Sequence, residues 1–81
     1  MPKAMQYTKG SIIYFEGDRD DRIFIMQQGA VMLTSTDPES RQQVNEQVKS
    51  GEFFGVKSAL GHFAREETAH AESDSTVVCL S

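Results

Sequence analysis

The sequence predicts a mainly β protein: an antiparallel β-roll or jelly-roll-like barrel that contains one short helical turn. Runs of β-branched and aromatic residues recur about every eight to twelve residues, and glycine or acidic turns separate them. Hydrophobic residues make up 38% of the chain and aromatic residues 9%, which is enough for a compact β-fold and low for a helical bundle. Because 81 residues can form one hydrophobic core, we expect a single domain over residues 1–81.

Three strands are predicted in the first half of the chain. Ser11 to Phe15 is rich in β-branched and aromatic residues and precedes an acidic turn with a glycine. Arg22 to Gln28 contains four consecutive apolar residues, which predicts a strand that is covered on both faces. Gly29 permits a bend before the third strand, Ala30 to Ser35, so we expect these last two strands to be neighbours.

The second half of the chain adds a hairpin and two further strands. A polar turn with a proline that fixes φ follows the third strand, and Gln42 to Lys49 then places Val44 and Val48 on one face. This pattern predicts a hairpin whose return strand is exposed. Glu67 to Glu72 alternates small and polar residues, and Ser75 to Leu80 is a β-branched run that we expect in the core.

Charge and cysteine content exclude several classes of protein. The net charge is −4 and the eight Lys and Arg residues are scattered, so we expect no direct contact with nucleic acid. Cys79 is the one cysteine and cannot form an intramolecular disulfide, which predicts a small core residue in a reducing, cytoplasmic setting. No apolar run reaches the ~20 residues of a transmembrane helix or forms a signal peptide, so we expect a soluble chain.

Metal and catalytic motifs are incomplete. The acidic residues between positions 16 and 21 lack the spacing of a calcium loop and predict a solvated turn. His62 and His70 are separated, which argues against a metal site of the kind that cupin-like enzymes hold on neighbouring strands. Ser58 lacks the Gly-x-Ser-x-Gly frame of a nucleophile. We therefore expect no enzyme activity, no catalytic residue, no metal and no cofactor. The alternative from another class of function is a metal-dependent, cupin-like enzyme.

The segment from Gly51 to Thr68 has the features of an anion site. Gly55 permits a tight backbone turn, and Lys57 to Leu60 can form one helical turn with free N–H groups. Arg65 follows as a loop-surface side chain that could clamp two phosphate oxygens. The Ser58 hydroxyl is expected to contact the phosphate or to cap the helix.

This segment and the motifs before it resemble the cyclic nucleotide-binding domain of catabolite-activator-type regulators, cyclic-nucleotide-dependent kinases and gated channels. The resemblance also includes Lys9 to Ile13, Glu16-Gly17-Asp18 and Ile23 to Met26, and it covers nearly the whole chain. It implies cAMP or cGMP as the ligand, held through its phosphate. The candidate ligand-binding residues are Phe54, Gly55, Val56, Lys57, Ser58, Ala59, Arg65, Glu66 and Thr68.

Two departures from the family pattern bear on the ligand. In the family, the segment that corresponds to Gly51 to Thr68 is the phosphate-binding cassette. The family usually has a Glu after the glycine that corresponds to Gly55, and this Glu accepts a hydrogen bond from the ribose 2′-hydroxyl, which Val56 cannot do. Losing such a bond costs about 1.5–3 kcal/mol, or about ten- to a hundredfold in affinity. Glu66 and Glu67 follow Arg65 and would repel a phosphate unless they point away. A degenerate roll without ligand, used for dimerisation or docking, is therefore the alternative.

Members of the family continue past the last strand into helices, and the final helix covers the nucleotide base. The present chain stops at Ser81 and resembles the β-roll without these C-terminal lid helices. We therefore expect a fragment of a larger regulator that controls an attached effector absent from this chain, whether DNA-binding, kinase or channel. The apolar strip that the helices would cover predicts a homo-oligomer.

Overall fold

The computed structural model describes residues 2–80 and has two four-stranded antiparallel sheets, so the predicted mainly β fold is confirmed. The sheets have the strand orders β1-β8-β3-β6 and β2-β7-β4-β5. In chain order the elements are β1 (Lys3–Tyr7), β2 (Ile12–Tyr14), β3 (Phe24–Gln28), β4 (Ala30–Thr36), β5 (Gln43–Lys49), β6 (Phe53–Phe54), α1 (Val56–Gly61), β7 (Thr68–Ala71) and β8 (Ser75–Cys79).

Every predicted strand is present, with ends that differ by at most two residues, and the predicted helical turn is α1. Two strands were not predicted. The edge strand β1 has a mostly polar, exposed sequence in which Met5 and Tyr7 are half-buried, and it pairs with β8 through Met5 and Val77. The strand β6 has only two residues, too few for a periodic pattern.

The prediction that β3 and β4 are neighbours is wrong. β3 pairs with β8 and β6 in the first sheet, whereas β4 pairs with β5 and β7 in the second. Only Gly29 separates the two strands, and a hairpin reversal normally needs at least a two-residue loop. At Gly29 φ is +93°, and a Cβ there would collide with Ser75. The chain therefore turns at this glycine and passes from one sheet to the other.

The core lies between the two sheets. The rings of Phe24 and Phe54 stack with their centres 4.9 Å apart, and Tyr14 packs beside both. In β8 the buried residues alternate and include Val77 and Cys79, so the expected core positions of this strand and of its cysteine are confirmed. In β3 the pattern also alternates, because Ile25 between buried neighbours is half-buried, and the expectation of full cover on both faces is wrong.

The predicted hairpin is confirmed. β4 and β5 pair from Ala30 with Lys49 to Thr36 with Gln43, and all residues of β5 except Val48 are exposed. Val44 lies on the same face of β5 as Val48, but it does not pack into the core and is 47% exposed. Among residues 2–80, no helix is long and apolar enough to cross a membrane.

Candidate ligand-binding site

A cavity of about 310 Å³ opens between α1, β6 and the inner side of the β4–β5 hairpin. Five of the predicted ligand-binding residues line it, and these are Phe54, Gly55, Lys57, Ser58 and Glu66. The other four, Val56, Ala59, Arg65 and Thr68, are not among its lining residues. The helix α1 and its flanking glycine therefore form one wall of the cavity.

Gly55 is required at the start of α1 for two reasons. Its backbone is left-handed, with φ 77° and ψ 5°, which glycine adopts without a steric penalty. A Cβ at this position would lie 2.7 Å from Arg65 Nη1 and 3.1 Å from the Arg22 carbonyl oxygen. The glycine therefore admits the arginine side chain directly behind the backbone of the cassette.

Ser58 does not cap the helix. Gly55 is the N-cap residue and no side chain caps it, so that part of the expectation for Ser58 is wrong. The serine lies inside α1, is buried, and accepts a hydrogen bond of 2.7 Å from Arg65 Nη1. Its hydroxyl thus connects the cavity wall to the arginine behind it.

Arg65 is not a loop-surface side chain, because only 2% of it is exposed. Its Nη1 donates to the Gly55 carbonyl oxygen at 2.6 Å as well as to Ser58, and its Nη2 donates to the Arg22 carbonyl oxygen at 2.6 Å. The sequence predicted an exposed Arg65. Its side chain can be buried because two separate backbone segments present carbonyl oxygens that accept hydrogen bonds from the planar guanidinium.

One nitrogen of this guanidinium has no acceptor. Among the buried side-chain nitrogen and oxygen atoms of residues 2–80, Arg65 Nε is the one that makes no hydrogen bond. A buried donor without an acceptor costs about 1–3 kcal/mol. The described protein groups therefore leave part of the hydrogen-bonding capacity of Arg65 unused.

Asp20 supplies the carboxylate beside Arg65. Its Oδ1 lies 3.4 Å from Arg65 Nη2, and it also binds Arg22 through two side-chain hydrogen bonds of 2.9 and 2.8 Å. The hydrogen bonds from Arg22 lower the pKa of Asp20 to about 2. The prediction of a solvated acidic turn is therefore wrong for Asp20, because only 11% of its side chain is exposed.

Tyr14 belongs to the site and was missed from the sequence. The Tyr14 hydroxyl donates a 2.6 Å hydrogen bond to Glu67 Oε2, while its ring lies against the Arg65 guanidinium. Burial, together with the bond to Glu67, raises the pKa of the Tyr14 phenol well above its usual range. The available signal was a tyrosine within the predicted strand Ser11 to Phe15, because a tyrosine that becomes buried usually finds a hydrogen-bond partner for its hydroxyl.

The cavity is negatively charged. Its lining includes four glutamates and a single lysine, namely Glu46, Glu52, Glu66, Glu67 and Lys57. Glu66 is exposed, whereas Glu67 is half-buried and binds Tyr14 through one of its two oxygens. A phosphate that enters this cavity therefore meets carboxylates on several sides, and only one of them is held by the Tyr14 hydroxyl.

Three of the predicted ligand-binding residues that do not line the cavity have structural positions. Val56 is half-buried at the first position of α1, and Ala59 is buried within the helix. Thr68 Oγ1 accepts a hydrogen bond of 2.9 Å from the Glu16 backbone N–H and so holds the acidic turn. Within residues 2–80, the His, Cys, Asp and Glu side chains form no group of three or more that could bind a metal.

Known proteins share this fold. The catabolite activator protein of Thermus thermophilus superposes with a TM-score of 0.87 and 26% sequence identity over 98% of this chain and 37% of its own. The regulatory domain of Toxoplasma gondii PKA, solved with cAMP, has the same fold with a TM-score of 0.89 at 20% identity, over 99% of this chain and 31% of its own.

Sequence comparison identifies the family. The cAMP-activated global transcriptional regulator Vfr of Pseudomonas aeruginosa is 32% identical over 68 residues, which is 84% of this chain and 30% of Vfr. The patatin-like phospholipase domain-containing protein 7 of Mus musculus is 29% identical over 76 residues, so this chain spans only 6% of that relative. The model of the cyclic nucleotide-binding domain matches residues 4–81. The chain therefore belongs to the cyclic nucleotide-binding domain family.

Proposed function

We propose that this chain is the sensing module of a larger regulator and that it binds cAMP or cGMP through the nucleotide phosphate. Its family supports this role, and the relative Vfr is described as cAMP-activated. The observation that carries the proposal is Arg65, a buried guanidinium beside the cavity with one N–H that no described acceptor uses. An anion that reached the guanidinium would supply the missing acceptor.

Binding in this scheme requires Arg65 to change partners. The guanidinium lies behind Gly55 and Ser58 and is not among the residues that line the cavity. A phosphate oxygen therefore takes the place of a protein acceptor, such as the Ser58 hydroxyl, and the unliganded and liganded sites differ in arrangement. A ligand shifts such an equilibrium only by its difference in affinity for the two arrangements.

A change in the position of the Arg65 side chain also affects the segment that precedes β3. Its Nη2 holds the Arg22 carbonyl oxygen, and Asp20 pairs with both arginines, so the segment before β3 moves with the guanidinium. The effector lies outside this chain and responds to that movement. The module itself carries out no reaction in this proposal, and its setting is the cytoplasm.

Isothermal titration calorimetry with cAMP and with cGMP tests the proposal, on the 81-residue chain and on a longer form of the same polypeptide. We expect saturable binding that Arg65→Lys weakens, because lysine keeps the charge but lacks the planar fork that binds two oxygens. The matched control is Lys57→Ala, which removes an exposed cation of the same cavity and should weaken binding less. A folded protein that binds neither nucleotide at millimolar concentration overturns the proposal.

A second function is a docking or dimerisation module without ligand. The negative cavity favours it, because four of its lining residues are glutamates. Val56, which offers no acceptor to a ribose hydroxyl, favours it as well. This candidate predicts no binding heat with either nucleotide and a melting temperature that rises with protein concentration.

A further inference from the structure

We propose that Asp20 competes with the nucleotide phosphate for the Arg65 guanidinium and so lowers the affinity of the site for its ligand. The inference rests on the proposed function and concerns the regulation of that same site. Asp20 is not among the residues that line the cavity beside α1. It therefore acts on the ligand through Arg65 and makes no contact of its own with the nucleotide.

Asp20 differs in charge from the groups that accept hydrogen bonds from Arg65. These acceptors are the carbonyl oxygens of Gly55 and Arg22 and the hydroxyl of Ser58. All three are neutral, whereas Asp20 Oδ1, 3.4 Å from Arg65 Nη2, belongs to a carboxylate. Opposite charges attract more strongly where burial excludes water, and the side chain of Arg65 is fully buried. The carboxylate therefore already supplies the negative charge that a phosphate would bring.

Arg22 holds the Asp20 carboxylate in place. The backbone N–H and the Nε of Arg22 donate to Oδ1 at 3.0 and 2.9 Å, and its Nη2 donates to Oδ2 at 2.8 Å. Both carboxylate oxygens are thus engaged, and a bidentate pair of this kind fixes the orientation of the carboxylate. The side-chain hydrogen bonds from Arg22 also lower the pKa of Asp20 to about 2, so the competing charge is present at neutral pH.

The contact between Asp20 and Arg65 can be exchanged for a ligand. At 3.4 Å it is longer than the roughly 2.7–2.9 Å of a charge-assisted hydrogen bond, so it is an ion pair without a hydrogen bond. While Arg65 keeps its protein partners, only the fraction of molecules in which it has turned to the ligand can bind, and the apparent affinity falls by that fraction. A phosphate that reaches Arg65 also meets repulsion from the neighbouring carboxylate. Both effects weaken binding, and both depend on the charge of Asp20.

Isothermal titration calorimetry with cAMP and with cGMP compares the unchanged chain with Asp20→Asn, which removes the charge and keeps the size of the side chain. We expect the variant to bind about tenfold more tightly, because the phosphate no longer competes with a carboxylate. The matched control is Glu16→Gln, which removes one negative charge from an exposed residue of the same acidic turn. It should change the affinity by less than about twofold, since solvent screens an exposed charge.

Urea denaturation of the same variants separates competition from a purely structural role. Asp20→Asn should lower the free energy of unfolding, because it removes the ion pairs with Arg22 and Arg65. Loss of a residue that only supports the site would weaken binding, whereas loss of a competitor strengthens it. Lower stability together with tighter binding therefore identifies a competitor. If Asp20→Asn does not fold, Asp20→Ser retains an acceptor for the Arg22 N–H in the turn and should also bind more tightly.

The outcomes separate the inference from the function on which it rests. If neither the unchanged chain nor the Asp20 variant binds a nucleotide at millimolar concentration, the proposed function fails and the inference fails with it. If the unchanged chain binds and the variant binds equally or more weakly, only the inference is overturned. If the variant alone binds, the proposed function fails for the unchanged chain and the competition by Asp20 is supported.

Discussion

The guanidinium carbon of Arg65 lies 4.1 Å from the centre of the Tyr14 ring, so the charge is stacked on an aromatic face inside the roll. A desolvated contact of this kind contributes about 2 kcal/mol. Together with the carbonyl acceptors of Gly55 and Arg22, it ties the cassette, the acidic turn and β2 to one side chain. The residue that the family pattern marks for a ligand is therefore also a structural residue in this chain.

Arg65→Ala should destabilise the fold, in contrast to the expectation for a surface arginine. The change leaves buried acceptors unpaired and removes a stacked side chain, which should lower the free energy of unfolding by about 3–5 kcal/mol. Urea denaturation measures this loss. Arg19→Ala, at an exposed arginine, should change stability by less than about 0.5 kcal/mol. An unaltered denaturation curve for Arg65→Ala would contradict the structural role.

Val56→Glu should strengthen cyclic nucleotide binding by up to about a hundredfold, because it adds a charged acceptor for the ribose hydroxyl. Calorimetry should show a smaller gain for 2′-deoxy-cAMP. Equal gains for both ligands would show that position 56 does not face the sugar.

Gly55→Ala should cost more stability than Gly51→Ala. Both glycines have positive φ, 77° and 89°, so each alanine carries a backbone penalty of about 1–2 kcal/mol. Only at Gly55 does the new Cβ also press on Arg65 Nη1, whereas the space around Gly51 is open. Thermal melting of the two variants compares them directly, and equal losses would show that Arg65 moves without cost.

Stability should fall in acid through Asp20. Its pKa is about 2 in the folded chain against an ordinary value of 3.8, so it binds protons more readily when unfolded. The stabilisation is present above about pH 4 and is lost as the pH falls towards 2, and it amounts to about 1–2 kcal/mol after allowance for solvent screening. Urea denaturation at several pH values measures it. Asp20→Asn should reduce the dependence of the free energy of unfolding on pH between about 4 and 2. An unchanged dependence would show that Asp20 is not the group responsible.

The chain should self-associate, most simply as a two-fold dimer, and melt at higher temperature as its concentration rises. Leu60 is 70% exposed and Phe53 56%, and each Å² of apolar surface removed from water contributes roughly 25 cal/mol. A dimer that exchanges strands near Val77 to Leu80 requires β8 to leave its place between β1 and β3. Sedimentation of Leu60→Gln should show weaker association, and a monomer at high micromolar concentration would exclude the dimer.

Local sequence determined six of the eight strands that residues 2–80 form, the short helix and the glycine that begins it. Alternation, β-branched runs and turn residues act over a few positions, so β8 and the β4–β5 hairpin were predicted from them. The family pattern likewise depends on the order and spacing of short motifs, and it identified the cassette between Gly51 and Thr68.

Tertiary structure alone decided what the charged residues of that cassette do. The Tyr14–Glu67 bond joins residues 53 positions apart, and the Arg65–Arg22 bond joins residues 43 positions apart. No local pattern encodes such pairs, because burial of a charge depends on which distant backbone groups meet it. The same reason explains why β3 and β4 belong to different sheets: the direction of the chain after Gly29 is set by its packing against Ser75.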